Sequence, residues 1–231
     1  MADARDDEEK RRPIAGQPSA RSGDRPWRSA GDLGGSGPSF SPACERNREP
    51  ILEVLRAELT AAREVLEIGS GTGQHAVFFA RAMPHITWHT SDRGENHPAI
   101  RAWIEAEGAG NVRPPLDLDV EREWPQRTFD AVFSANTAHI MSWPQVQAMF
   151  AGVGRVLKDG GSFVLYGPFA YEGVHTSASN ADFDRMLRQR DPASGIRDIT
   201  DLRREASAAG MNLVADHAMP ANNRTLVWHK S

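Results

Sequence analysis

Apolar positions along the chain switch between two periods, and the switches mark out its elements. Ile51, Leu52, Leu55 and Leu59 recur at helical spacing, which predicts a first helix over about 45–59 with one buried face. "EVLEI" at 64–68 reads as a short strand and 74–83 as the helix after it, stopped by Pro84. "HITWHTSD" at 85–92 gives a second strand, 98–107 a helix ended by Gly108, and "VRPPLDLDV" a third strand interrupted by proline. "FDAVFSAN" at 129–136 is a continuous apolar run of the kind buried on both faces of a parallel sheet. Pro144 suits the first turn of a helix with Val146, Met149, Phe150, Val153 and Leu157 inside; "KDGG" ends it and "SFVLYG" follows as a fifth strand. Helices near 181–190 and 201–209 come next, then "NLVADHAM" and "RTLVWH", joined by the short turn "PANN" and so expected to pair antiparallel.

Strands alternating with helices predict an α/β fold with a doubly wound, mostly parallel sheet, in which ligands bind beyond the carboxyl ends of the strands. One domain is expected over 39–231, since 231 residues suffice for a single well-covered core. Residues 1–38 mix charges of both signs with Gly, Ser and Pro and read as a disordered polar tail. The basic patch Lys10, Arg11 and Arg12 within it reads as a solvated charge run.

Charge and composition narrow the function classes. A net charge of −4 gives no basic field for nucleic acid or an anionic membrane, so the expected partner is a small molecule. No apolar run approaches the roughly 20 residues that a spanning helix needs. The sole cysteine, Cys44, excludes an internal disulfide and a cysteine-rich zinc site. The N-terminus lacks the apolar segment of a secretory signal, and "DDEE" at 6–9 argues against a transit peptide, so a cytoplasmic location is expected. His85, His89 and His97 surround a strand end without the spacing of a zinc motif, and no metal is expected. Oligomeric state is open.

The stretch "EIGSGTGQHA" carries the chemistry. Gly69, Gly71 and Gly73 permit a tight turn and let backbone approach a ligand closely. Read from Gly71, "GTGQHA" also satisfies a dinucleotide pattern, which keeps an NAD-dependent oxidoreductase in contention. Glu67 discriminates. A diphosphate on the following helix N-terminus would meet that carboxylate at a cost of about 4 kcal/mol per contacting charge pair, at an effective dielectric near 20. S-adenosylmethionine, with a sulfonium, an ammonium and no phosphate, suits an acid followed by alternating glycines better. Asp92, at the end of the second strand, is placed to accept from both ribose hydroxyls, in NAD as well. Asp119 is the candidate acceptor for the adenine amino group, with Leu118 against the ring and Asp117 as the neighbouring alternative.

At this point the residues resemble a known group. "EVLEIGSGTG" looks like the first motif of class I methyltransferases, and the order of elements matches that fold. More narrowly, "FSPACERNREPIL", "NTAHIMSW", "LYGPF", "SNADFDRML", "RDPASGIRD" and "MPANN" resemble the methyltransferase-like domain-of-unknown-function family 938. The similarity covers roughly Phe40 to Lys230 and implies a seven-stranded sheet and an S-adenosylmethionine site, without naming a methyl acceptor. The family usually has Ala where Cys44 stands, so that thiol is not assigned a catalytic role.

The acceptor pocket is expected in the loops after the fourth and fifth strands. Asn136 ends the fourth strand and is placed against the methionine part of the cofactor or the acceptor. His139 is the candidate general base or orienting donor, with a hydrogen-bonded structural role as the alternative. Tyr166 and Phe169 could wall the pocket, though core packing explains Phe169 equally well. Arg197 and Asn223 are candidates for acceptor recognition, a salt bridge to Asp198 being the other use of Arg197. Arg46 and Asn47 open the first helix and are expected to face the site. A catalytically silent member of the same fold, acting as a binding module, is the remaining alternative.

Overall fold

The computed structural model describes residues 38–108 and 110–231. The expected tail, with Lys10, Arg11 and Arg12, lies outside them except for Pro38. In chain order the elements are α1 (Pro42–Glu58), β1 (Glu64–Ile68), α2 (Gln74–Ala82), β2 (Thr87–Asp92), α3 (His97–Glu107), β3 (Val112–Asp117), β4 (Phe129–Ala135) and α4 (Trp143–Val156). There follow β5 (Leu157–Gly167), β6 (Phe169–Tyr171), β7 (Val174–His175), α5 (Ala178–Arg190), β8 (Arg197–Asp198), α6 (Ile199–Ala208), β9 (Met211–Ala218) and β10 (Arg224–Lys230).

Seven strands form one sheet in the order β3-β2-β1-β4-β5-β10-β9. The first five are mutually parallel; β10 runs antiparallel to both β5 and β9. The order reverses between β1 and β4, which opens a crevice at the carboxyl ends of those strands.

Side-chain alternation splits the interior into two layers. Leu66, Ile68, Val132, Phe163, Leu165 and Trp228 point to the face covered by α4 and α6, where Val146, Phe150 and Leu202 meet them. Val65, Phe133, Val164 and Tyr166 point to the opposite face, against Ile51 and Leu55 of α1 and Val77 and Phe79 of α2.

Several helices start before their apolar period does, because a cap sets the start. Ser142 caps α4 with a reciprocal Gln145 pair, Ser177 accepts Asn180 N–H at 3.1 Å ahead of α5, and Asp198 accepts Thr200 N–H at 2.8 Å ahead of α6. Leu157, expected on the inner face of α4, instead begins β5, and residues 158–161 are looped out between its pairings with Phe129 and Ala131. A second sheet, β7-β6-β8, was not anticipated; strands of two or three residues are too short to show a period.

Candidate active site

The glycine loop leaves β1 at the reversal of strand order. Gly69, Gly71 and Gly73 all take left-handed φ (70, 58 and 87°). At Gly73 a Cβ would stand 2.9 Å from the Ile100 Cα, so α2 and α3 can meet here only without a side chain. At Gly71 nothing lies within 4 Å of the same point, so this turn of the loop faces open space.

Glu67 lies beneath that loop. It shares the α1–α2 face with Val65 and is 2 % exposed. Its Oε2 accepts the Ser70 hydroxyl at 2.8 Å and the Trp88 indole N–H at 3.1 Å. Burial lifts its carboxyl to about 7 against the pull of those two bonds. The acid thus fastens the loop to β1 and β2 while remaining poised between charged and neutral forms at neutral pH.

Asp92 closes the loop from the end of β2. Its Oδ2 accepts Gly71 N–H at 2.8 Å; its Oδ1 accepts Arg93 N–H and Asn96 Nδ2, each at 2.8 Å. A carboxylate offers about four acceptor sites, so bidentate binding of a ribose diol would require one of these donors to yield. Asp117 and Asp119 line a cleft of about 300 Å³ with Arg122 and Glu123. Asp119 is turned partly into its own loop, where Oδ1 accepts Glu121 N–H at 3.1 Å. Leu118, expected against an adenine ring, is instead 4 % exposed and sunk in the core under α4 and α6, because alternation that turns both aspartates outward turns the residue between them in.

The β4 end is fixed to the loop from the other side. Ser134 Oγ donates to the Ile68 carbonyl at 2.8 Å and pairs with Thr137 Oγ1 at 2.7 Å. Asn136 takes a left-handed φ of 59° and donates its N–H to the Tyr166 carbonyl at 2.9 Å, joining the ends of β4 and β5. Asparagine tolerates this conformation better than most residues, which gives its place at the strand end a backbone reason.

His139 is 7 % exposed, edge-on to Phe183 with ring centroids 5.4 Å apart. Burial, with the nearby Arg197 charge acting in the same direction, lowers its imidazole to about 4, so it is neutral at physiological pH. Arg197 corrects the sequence reading twice over. Rather than facing an acceptor or pairing with Asp198, its side chain is buried and donates to three carbonyls, those of Ala138 (3.0 Å), Ala193 (2.9 Å) and Met141. Gly195 N–H adds a bond to the His139 carbonyl at 2.9 Å. Arg197 therefore holds the His139 loop in place. Phe169, 1 % exposed, belongs to the core, in line with its packing alternative.

The remaining candidates converge. Tyr166 is buried beneath α1, and burial raises its phenol; hydrogen bonds from Asn47 and Asn223 and the charge of Arg46 act against that rise. Asn47 Oδ1 pairs with His75 Nε2 at 2.7 Å. His75 was not singled out in the sequence, and only the fold brings it to Asn47 of α1. It stacks on Phe79 at 5.1 Å, and burial lowers it to about 4. Asn180, also missed, donates at 3.0 Å to the carbonyl of Asn222, in the turn that carries Asn223. The three histidines near β2 do not converge: His89 bonds Glu64 at the start of β1, and His97 bonds the Asp92 carbonyl at the end of β2.

The six phrases singled out in the sequence gather at this one end. Ser41 N–H meets Gln74 Oε1 at 2.8 Å, Phe183 meets His139, Gly195 meets the His139 carbonyl, and Asn180 meets the 220–223 turn. A family model described as protein of unknown function (DUF938) matches residues 38–230. The chain belongs to this family. The DUF938 domain has the fold of class I methyltransferases. It is similar to an O-methyltransferase family protein from Burkholderia thailandensis, with 18 % identity and a TM-score of 0.72 over 82 % of this chain and 57 % of that one. It is also similar to an O-methyltransferase family 2 protein from Planctomyces limnophilus in complex with apigenin, with 16 % identity and a TM-score of 0.73 over 82 % and 58 %. The structure of PigF with SAH gives 17 % identity and a TM-score of 0.70 over 80 % and 56 %. The chain thus spans a little over half the length of these proteins. Among the described residues, no helix is long and apolar enough to cross a membrane.

Proposed function

We propose that this chain is an S-adenosylmethionine-dependent methyltransferase acting on a small-molecule acceptor, its domain running over 39–231 in the cytoplasm. The observation that carries the reading is the buried Glu67 carboxylate under a left-handed glycine loop whose outer turn, at Gly71, faces open space. A loop so underlaid by an acid favours a cationic, phosphate-free nucleoside over a diphosphate. PigF, of the same fold, is described with SAH, which supports this choice.

When bound, the cofactor supplies an electrophilic methyl group on a sulfonium. Glu67 would favour its positive charge, Gly69, Gly71 and Gly73 its close approach, Asp92 its ribose and Asp119 its adenine; Asn136 would meet the methionine part. The protein's further task is to align the acceptor and exclude water, and positioning of this sort contributes about 7–11 kcal/mol. His139, neutral and with a pKa of about 4, is suited to accept a hydrogen bond from the acceptor and hold it, and is a weak base. The acceptor atom would thus be one that sheds its proton readily or reaches the site without it. The same weakness favours a second reading, a methyltransferase fold that binds its ligands without turnover.

Calorimetry decides the cofactor: micromolar binding of S-adenosylhomocysteine with no heat from NAD is expected, and the reverse result would end the proposal. Incubation with labelled methyl donor and a metabolite extract then separates enzyme from binding module, the enzyme alone leaving label on a small molecule.

A further inference from the structure

Thr137, two residues past the end of β4, touches both halves of the site. On the cofactor side its Cγ2 methyl fills the place of the side chain that Gly69 lacks: a Cβ on Gly69 would stand 2.6 Å from it. Its hydroxyl is held as firmly. Ser134 Oγ spends its single proton on the Ile68 carbonyl at 2.8 Å, so in the 2.7 Å pair with Thr137 the threonine donates. Thr137 is 6 % exposed, and a β-branched side chain with Oγ1 bound to Ser134 and its methyl against Gly69 has little freedom at χ1.

On the acceptor side the same residue starts the turn that carries His139. Its carbonyl accepts the N–H groups of Ile140 at 3.0 Å and Met141 at 3.2 Å. Arg197 and Gly195 hold the turn from the other side, through the Ala138, Met141 and His139 carbonyls. The imidazole has no anchor of its own. Among the described residues it makes no side-chain hydrogen bond; it meets Phe183 edge-on and lies beside Gly167, where a Cβ would stand 3.7 Å from Nδ1. The place of the ring is therefore set by the turn, and the turn is fixed by Thr137 at one side and Arg197 at the other.

We infer that Thr137 is a positioning residue that couples the cofactor loop to His139: its methyl bears on Gly69 while its carbonyl closes the turn that carries the imidazole, so a ligand that shifts the loop shifts the ring. The placing of His139 by Thr137 stands on these bonds alone; that the ligand on the loop is S-adenosylmethionine rests on the methyltransferase reading above. Coupling between two binding sites is reciprocal, so an acceptor that fixes the ring also firms the loop.

NMR of the His139 imidazole in the full chain reads both parts, the signal being assigned by its loss in His139→Gln. Thr137→Ser keeps the hydroxyl and deletes the methyl. In the free protein this variant is expected to move the His139 signal and its cross-peak to Phe183. Saturation with S-adenosylhomocysteine is expected to shift the wild-type signal, and Thr137→Ser to cut that shift to about half or less. Affinity for the ligand should fall by no more than about fivefold, as the loss of one methyl contact implies. Val65→Ala, a core change of at least equal cost to the fold and away from the turn, should keep the wild-type shift; its loss there as well would reduce Thr137 to a structural role and overturn the inference. A wild type that binds S-adenosylhomocysteine with no His139 shift, or a Thr137→Ser protein that shifts in full, overturns the coupling and leaves the methyltransferase reading standing. A wild type that takes up no S-adenosylhomocysteine ends that reading, and an unmoved His139 signal in free Thr137→Ser ends the positioning role.

Discussion

Trp88 on β2 donates its indole N–H to the carboxylate of Glu67 on β1 at 3.1 Å. Both residues are buried, and burial raises the acid to about 7 from an ordinary value of 4.5. The folded chain therefore keeps a proton on Glu67 between pH 4.5 and 7 that the unfolded chain has released. The stability this represents is complete below the lower value and lost as pH rises through the upper one. Glu67→Gln is expected to be more stable than the wild type at pH 8, the gap closing toward pH 4.5, as denaturant melts across that range would record. Affinity for a cationic cofactor is expected to rise through pH 7 in the wild type and to stay flat in the variant.

His75 and His139 act in the opposite direction. Both are lowered from 6.5 to about 4 by burial, so the unfolded chain binds protons first as pH falls. Their contribution is present above pH 6.5 and lost as pH drops toward 4. Replacing His139 with Gln is expected to flatten that loss in part. At saturating cofactor, His139 is expected to contribute no inflection to activity between pH 5.5 and 8, whereas an inflection near 6.5 traced to this residue by Gln substitution would mean that it is far less buried.

Much of this was legible in the sequence, and the failures have physical reasons. The turns at Gly69, Gly71, Gly73 and Asn136 are readable because a left-handed φ restricts which residues can stand there, and Glu67 and Asp92 because they lie at the carboxyl ends of parallel strands. Arg197 misled because a buried guanidinium and a ligand clamp look alike in one dimension; only carbonyl geometry separates them. Leu118 misled because its neighbours, Asp117 and Asp119, drew attention to the cleft while pleating sent it inward. His75 gave no signal of its own, since its partner Asn47 comes from a distant helix.

Removing the Arg197 fork should loosen the loop that it holds. Arg197→Met leaves the Ala138, Met141 and Ala193 carbonyls without their donor and is expected to cost about 3 kcal/mol. The same change removes a positive charge beside His139, so an NMR titration should find its imidazole shifted upward.

Two glycines of the loop should fail in different ways. Gly73→Ala places a Cβ 2.9 Å from the Ile100 backbone at a φ of 87°, and is expected to destabilise the fold by about 2–3 kcal/mol. Gly71→Ala meets only the left-handed penalty of about 1–2 kcal/mol, because nothing lies within 4 Å of its Cβ. Its main effect should be on cofactor affinity, so paired melts and titrations distinguish the two positions.

Ala221→Gly relieves a left-handed φ of 56° and is expected to raise stability by about 0.5–1 kcal/mol, read from the denaturation midpoint.

The looped-out residues 158–161 sit at the far rim of the sheet, where the Asp159 side chain is 84 % exposed. From Ser162 to Gly167 the strand rises on the order of 20 Å toward the crevice. A fluorescent reporter or surface tether attached at Asp159 would accordingly follow the molecule through immobilisation or single-molecule work while leaving every ligand-facing group unaltered.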